Sequence, residues 1–504
     1  MNKDLELLKA RGRELYLLEH TAALLGWDQE TYIPARGDEE RAEQLALLEG
    51  IQHEKLTGSR TGELFDRLGA GKDNPGGNPD LSPADRAYIR YFFHKYNRAI
   101  CLPGELVTEL ARATSLGQTT WVKARKADDF SMFAPALKKV LDLTKKSAAL
   151  MNPDGDPYDA LLDGYEPGMT RKELEKVFSA LKSELVSLVS RIAAAPAPDT
   201  EFLNRDFPQE AQEAFGRYIL NEMNYPMDRG RMDVSAHPFT TTLGADDVRI
   251  TTRYGEANPL SSLFSVIHEA GHGLYELGFA PEIRGNLLAA GTSLGVHESQ
   301  SRTWENMIGR SRPFWTRYFP EAVRHFPAAL KGVDFETFYK AVNSVKPSFI
   351  RVDADEVTYS LHVILRFELE TMILDGKLEV EELPDVWNRK MEEFLGIRPS
   401  KDSLGVLQDV HWSAGLVGYF PTYALGNLYG AQFMNTARKE IPDLDSHVEK
   451  GDLGVLLSWL RSNIHAPGSS LTAGELCRKV TGEDLNPEYF SRYLSEKYGE
   501  VYEL

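Results

Sequence analysis

The chain has 504 residues, 42% hydrophobic and 26% charged, with 75 acidic against 57 basic side chains and a formal net charge of −18. This is the balance of a folded globular protein, and its acidity repels phosphate backbones and anionic lipid heads, so neither nucleic acid nor a membrane surface is an expected partner. With only two cysteines, Cys101 and Cys477, a disulfide framework and a cysteine metal cluster are excluded, and the usage fits a reducing cytosol.

The N-terminus alternates charges with leucines and lacks the apolar core of a secretory signal, so a cytoplasmic location is expected. Leu5, Leu8, Leu15, Leu18 and Leu25 recur at helical intervals and predict a helix over 3–25. A Gly/Pro/Asn-rich patch at 69–80 reads as a surface loop. Ser82-Pro83 then supplies an N-cap and a first-turn proline for a helix running to about Tyr96.

The turn-rich stretch 151–170 carries close aspartates, but Tyr158 and Asp159 stand where a calcium loop needs a ligand and a glycine. Thr170 and Glu173 form a capping box for a long amphipathic helix that ends before "AAAPAPD" (193–199), the best internal boundary on offer. From Asp233 to Tyr254 the texture turns to threonine and alternating Val248 and Ile250, which predicts a β-hairpin around Gly244-Ala245-Asp246. The rest reads as helix, so the expected fold is mainly α with one small sheet.

Asn258-Pro259 opens a helix whose apolar positions Leu260, Leu263, Phe264, Ile267, Ala270 and Leu274 bury one face, and this helix contains His268-Glu269-Ala270-Gly271-His272. Residues i and i+4 stack on one helix face, so His268 and His272 can both aim a ring nitrogen at one zinc ion. Glu269, about 100° round the helix, points beside the ion, where it can take a proton from a water the metal acidifies. Gly271 and Gly273 each cost roughly 1 kcal/mol relative to alanine in a helix, which suggests close approach of a ligand or a neighbouring backbone.

A catalytic zinc needs a third protein ligand and an open position. Tyr275 and Gly278 rule out the metzincin continuation. Some 25 residues on, "GVHESQSRTWENMIG" (295–309) predicts a second helix in which His297 and Glu298 are both candidates, and Arg302 stands where a thermolysin-like pattern wants an acid.

HEAGH followed by HESQ resembles the M32 family of metallocarboxypeptidases, the thermostable carboxypeptidase Taq type. "HPF" (237–239), "DVRIT" (247–251), "IRVDADEVTY" (350–359), "GVLQDVHW" (405–412) and "GYFPTY" (418–423) resemble that family's signatures, as do "LLGWDQETYIP" (24–34) and "PYDALLDGYEPGMT". Gly273 and Ile33 alone look off-pattern. The resemblance implies that Glu298 is the third ligand beside His268 and His272. It implies an elongated helical zincin with a deep central cleft, similar to neurolysin and angiotensin-converting enzyme, with residues 1–504 forming one catalytic unit that pairs as a homodimer. In such a unit the 193–199 segment is a surface loop.

The expected reaction is release of single C-terminal amino acids from peptides with broad specificity, using zinc, or cobalt as a substitute. Glu269 acts as general base, and Tyr423 and His411 are candidate donors to the oxyanion. A free C-terminal carboxylate calls for a guanidinium fork. Arg351 is the leading choice, against a structural ion pair with Asp353 or Asp355, and Arg249 is the weaker alternative. His237, Gln408 and Asp409 line or brace the cleft, and the hairpin edge offers a strand on which an extended peptide can lie. The competing readings are an oligoendopeptidase or dipeptidyl carboxypeptidase of the same fold, or a non-catalytic zinc-containing peptide-binding protein.

Overall fold

The structure, a computed structural model, describes residues 2–255 and 259–504, so the expected cap at Asn258 lies outside the described residues. Helices dominate it. The N-terminal helix runs Lys3–Thr31, longer than the leucine spacing suggested, with the Asn2 side chain accepting from Asp4 and Leu5 N–H. Leu5, Leu8 and Leu15 are buried, while Leu18 and Leu25 are half-buried, so the predicted stripe faces the core only through its first half. The helix that begins at Pro83 continues to Ile100, and the capping box at Thr170 opens the helix Arg171–Ala193.

Strands β1 (Gly230–Val234), β2 (Thr240–Gly244) and β3 (Asp247–Thr252) form one sheet in the order β1-β3-β2. The expected hairpin is β2–β3, antiparallel, with a register shift between Thr242 and Gly244. The reading missed β1, which pairs parallel to β3 from Gly230↔Val248 to Val234↔Thr252. Side chains alternate across a strand. Val248 and Ile250 are therefore buried together, while Arg249 turns to the opposite face and lies over the Trp27 ring of the N-terminal helix.

The buried apolar residues form one connected cluster from Leu5 to Tyr502. Ile192 and Phe202, on either side of the 193–199 segment, both belong to it. Among the described residues, no helix is long and apolar enough to cross a membrane.

Candidate metal centre

The motif helix spans Pro259–Glu276, with Leu263, Phe264, Ile267, Ala270 and Leu274 buried beneath it. It crosses the helix Leu294–Arg302 so closely that a Cβ on Gly271 would lie 2.7 Å from Ser301 Cα and 2.8 Å from the Gln300 carbonyl oxygen. Neighbouring backbone is thus the reason for that glycine; at Gly273 it is the Tyr225 ring. On the far side, the helix Pro421–Glu440 approaches at Gly426, where a Cβ would meet Glu298 Cγ. The helix that carries Glu298 is thus held between two close contacts, at Gly271 and Gly426, that leave no room for a side chain.

This crossing brings His268, His272 and Glu298 together, their ligand atoms all within 4.8 Å of one another. Glu298 Oε2 lies 3.7 Å from His268 Nε2 and 3.5 Å from His272 Nε2. Tetrahedral zinc with bonds of about 2.0–2.1 Å separates its ligands by roughly 3.3–3.5 Å, close to these two distances, and two imidazoles with a carboxylate are a donor set that suits a divalent ion. Burial drives the His272 pKa down to about 3, leaving the neutral imidazole that ligation requires. Burial opposes ionisation of Glu298, but the Arg302 guanidinium, with His268 and His272, holds its carboxyl well below the usual range.

Arg302, the basic residue at the thermolysin-like acid position, donates Nε–H to Glu298 Oε1 at 2.7 Å and stacks over the Tyr359 ring. The acid that orients His268 is Glu305, whose Oε2 lies 2.9 Å from His268 Nδ1 and 3.3 Å from Arg302 Nη1. Glu305 sits in a π-helical turn, Thr303–Ile308, that continues the Glu298 helix. The sequence reading missed it. The signal was available, because i+7 returns to nearly the same helix face. His297, the rival candidate ligand, sits behind His272 with Nδ1 2.6 Å from His272 Nδ1.

Glu269 is 7% exposed, and burial raises its pKa. Thr240 of β2 lies against it, its hydroxyl 2.6 Å from Oε2 and 2.9 Å from the Glu269 carbonyl. Glu269 lines a cleft of about 790 Å³ together with His268, Glu298, Arg302, Arg351, Tyr359 and Tyr423. Tyr423 OH is 3.4 Å from His411 Nε2; burial raises the Tyr423 pKa and lowers that of His411 to about 4, so phenol and imidazole are both neutral at pH 7.

Arg351 reaches the cleft wall, but its ion pair is with Asp409, not with Asp353 or Asp355. Its Nε and Nη2 donate to Asp409 Oδ1 at 3.1 and 3.0 Å, and Nη1 donates to Tyr359 OH. Arg366 neutralises the other Asp409 oxygen. Gln408 braces Arg351: it accepts the Arg351 N–H and donates to the Phe349 carbonyl, so its amide is engaged with backbone instead of a substrate. His237 is exposed beside Pro238 of the cleft wall. Arg249 is not brought to the cleft: it pairs with Asp247 on the far face of the sheet.

A family model described as carboxypeptidase Taq (M32) metallopeptidase matches residues 7–498. The chain is 45% identical over 500 residues to thermostable carboxypeptidase 1 of Thermus thermophilus, covering 97% of each chain. It is 39% identical over 481 residues to carboxypeptidase 1 of Bacillus subtilis, covering 95% of each. Among solved structures, an M32 carboxypeptidase from Deinococcus radiodurans superposes with a TM-score of 0.96 at 42% identity over 100% of both chains. The Pyrococcus furiosus carboxypeptidase superposes with a TM-score of 0.95 at 38% identity, covering 99% of each chain.

Proposed function

For this chain, which belongs to the carboxypeptidase Taq (M32) metallopeptidase family and is a metallocarboxypeptidase, we propose a zinc-dependent enzyme that removes single C-terminal residues with Glu269 as general base. The observation that carries this reading is the convergence of His268, His272 and Glu298, with Glu269 lining the same cleft as His268 and Glu298. A bound divalent ion supplies Lewis acidity, polarising the scissile carbonyl and acidifying water.

The chain's own residues do the rest. Glu269, steadied by Thr240, takes the proton of the attacking water and returns it to the leaving amine. Tyr423, kept protonated by burial, donates to the developing oxyanion, with His411 beside its hydroxyl. Arg351 retains one N–H on each terminal nitrogen beyond those given to Asp409 and Tyr359, and these face the substrate's terminal carboxylate. The unpaired edge of β2 receives the extended peptide main chain, which allows broad side-chain tolerance. One catalytic unit and assembly as a homodimer belong to the same proposal.

Product analysis of a purified peptide tests it. Free amino acids should appear singly and in order from the C-terminus; dipeptides or internal fragments would instead mark a dipeptidyl carboxypeptidase or an oligoendopeptidase.

A further inference from the structure

The two histidines of the metal centre are supported differently. His268 Nδ1 meets the Glu305 carboxylate directly, whereas His272 Nδ1 meets another imidazole, His297 Nδ1, at 2.6 Å. The other nitrogen of His297, Nε2, lies 2.8 Å from Glu276 Oε1, and the remaining Glu276 oxygen accepts from the Thr242 hydroxyl at 3.0 Å. Resting on the metal reading above, we propose that His297 and Glu276 are positioning residues: a two-member relay that fixes His272 as its Nδ1–H tautomer and so presents its Nε2 lone pair to the ion.

The proton directions follow from the geometry. Nε2 of His272 is the atom that faces Glu298, so a lone pair there requires the proton on Nδ1. That proton needs an acceptor, and two nitrogens at 2.6 Å tolerate only one proton between them. His297 therefore accepts at Nδ1 and carries its own proton on Nε2, pointed at Glu276. Each link leaves the next a single orientation.

The rings are also held in place. A Cβ on Gly291 would lie 2.7 Å from His297 Cδ2, and Tyr275 packs across the His297 ring at 5.1 Å between centroids. Thr240 and Thr242 share one face of β2, two residues apart, so one strand steadies both Glu269 and Glu276.

The test is zinc affinity, read by competition with a chromophoric chelator at fixed pH, with the thermal melt of the metal-free protein as a fold control. The parent should bind one zinc per chain; if it binds none, the metal reading fails and not the relay. His297→Ala should weaken zinc binding about 10–100-fold, as loss of an outer-shell partner does. Glu276→Gln, which keeps an acceptor oxygen, should weaken it less than Glu276→Ala. Because the two residues act in series, the double variant should bind no worse than His297→Ala alone.

A folded His297→Ala within twofold of the parent, or additive losses in the double variant, would overturn the relay. If His297→Ala does not fold, long-range ¹H–¹⁵N correlations of the zinc-loaded parent decide. A proton on His297 Nε2 with none on its Nδ1 sustains the proposal, and a proton on His297 Nδ1 ends it.

Discussion

Glu305 Oε2 lies 2.9 Å from His268 Nδ1, so the first histidine of the motif is oriented by an acid seven residues beyond Glu298 on the same continuous helix. The position four residues after Glu298 is occupied by Arg302, which lies between the two carboxylates and donates to both. Replacing Glu305 by leucine removes the acceptor that fixes the His268 tautomer and leaves Arg302 and Arg310, whose Nη2 donates to Glu305 Oε1 at 3.1 Å, each short of a buried partner. Metal affinity should fall about 10–100-fold. Glu305→Gln keeps an acceptor oxygen and should lose less. Titration with a competing chelator distinguishes the two variants.

Glu269→Gln tests the general base. Glutamine keeps an oxygen for the Thr240 hydroxyl, so local packing should survive while proton transfer is lost. We expect kcat to drop about 10²–10⁴-fold with metal content per chain unchanged. Turnover at the parent rate would remove Glu269 from its role.

The part of this site legible in the sequence is the part that one helix turn determines. His268, Glu269 and His272 have their relative directions fixed by i and i+4 geometry, so the motif sufficed. Spacing could not choose between His297 and Glu298, because both lie on the second helix and only its crossing at Gly271 decides which side chain meets the histidines. Thr240 was harder still, and so was the partner of Arg351, although Asp409 itself was expected to line or brace the cleft. Thr240 reaches Glu269 across 29 positions, and Asp409 reaches Arg351 across 58; such contacts are set by tertiary packing and leave no local pattern. The same holds for β1, whose parallel pairing with β3 is not adjacent in the chain, whereas the β2–β3 hairpin declares itself through its turn. The helical fold was legible because periodicity is local, although the N-terminal helix outruns its leucine stripe by a turn and a half of polar and aromatic residues.

Glu370 carries a pH signature. It is 2% exposed, and burial pushes its pKa from 4.5 up to about 7, although Trp412 Nε1, Tyr158 OH and the Gly418 N–H all donate to it. Its folded-state pKa is raised, so the native protein holds a proton that the unfolded chain has lost between pH 4.5 and about 7. This contribution to stability is fully present below pH 4.5 and disappears as pH rises through about 7. At 1.36 kcal/mol per pKa unit it amounts to about 3 kcal/mol. Buried histidines such as His362 and His465 titrate in the opposite sense, so the difference between two proteins is the informative quantity. Denaturant unfolding of the parent and Glu370→Gln should show a stability gap that narrows, in the parent's disfavour, from pH 4.5 to 7. A gap independent of pH would mean that Glu370 is ionised throughout.

Arg351 is 4% exposed and already shares Asp409 with Arg366, so two cations face one carboxylate. Removing the Arg351 charge leaves Asp409 paired with Arg366, and the fold should tolerate Arg351→Gln. A peptide with a free C-terminus offers the second anion that this excess of positive charge can take up. Charge-assisted hydrogen bonds of this kind contribute about 1.5–3 kcal/mol, so Arg351→Gln should lower kcat/KM for a free-acid peptide about 10–100-fold. The sharper reading is discrimination. The parent should cleave the free acid far faster than its C-terminal amide, and the variant should treat the two nearly alike, because the amide carries no charge for Arg351 to recognise. If Arg351→Gln keeps the parent's full preference for the free acid, the terminal carboxylate is held by another cation, and Lys346, which also lines the cleft, is the next residue to replace.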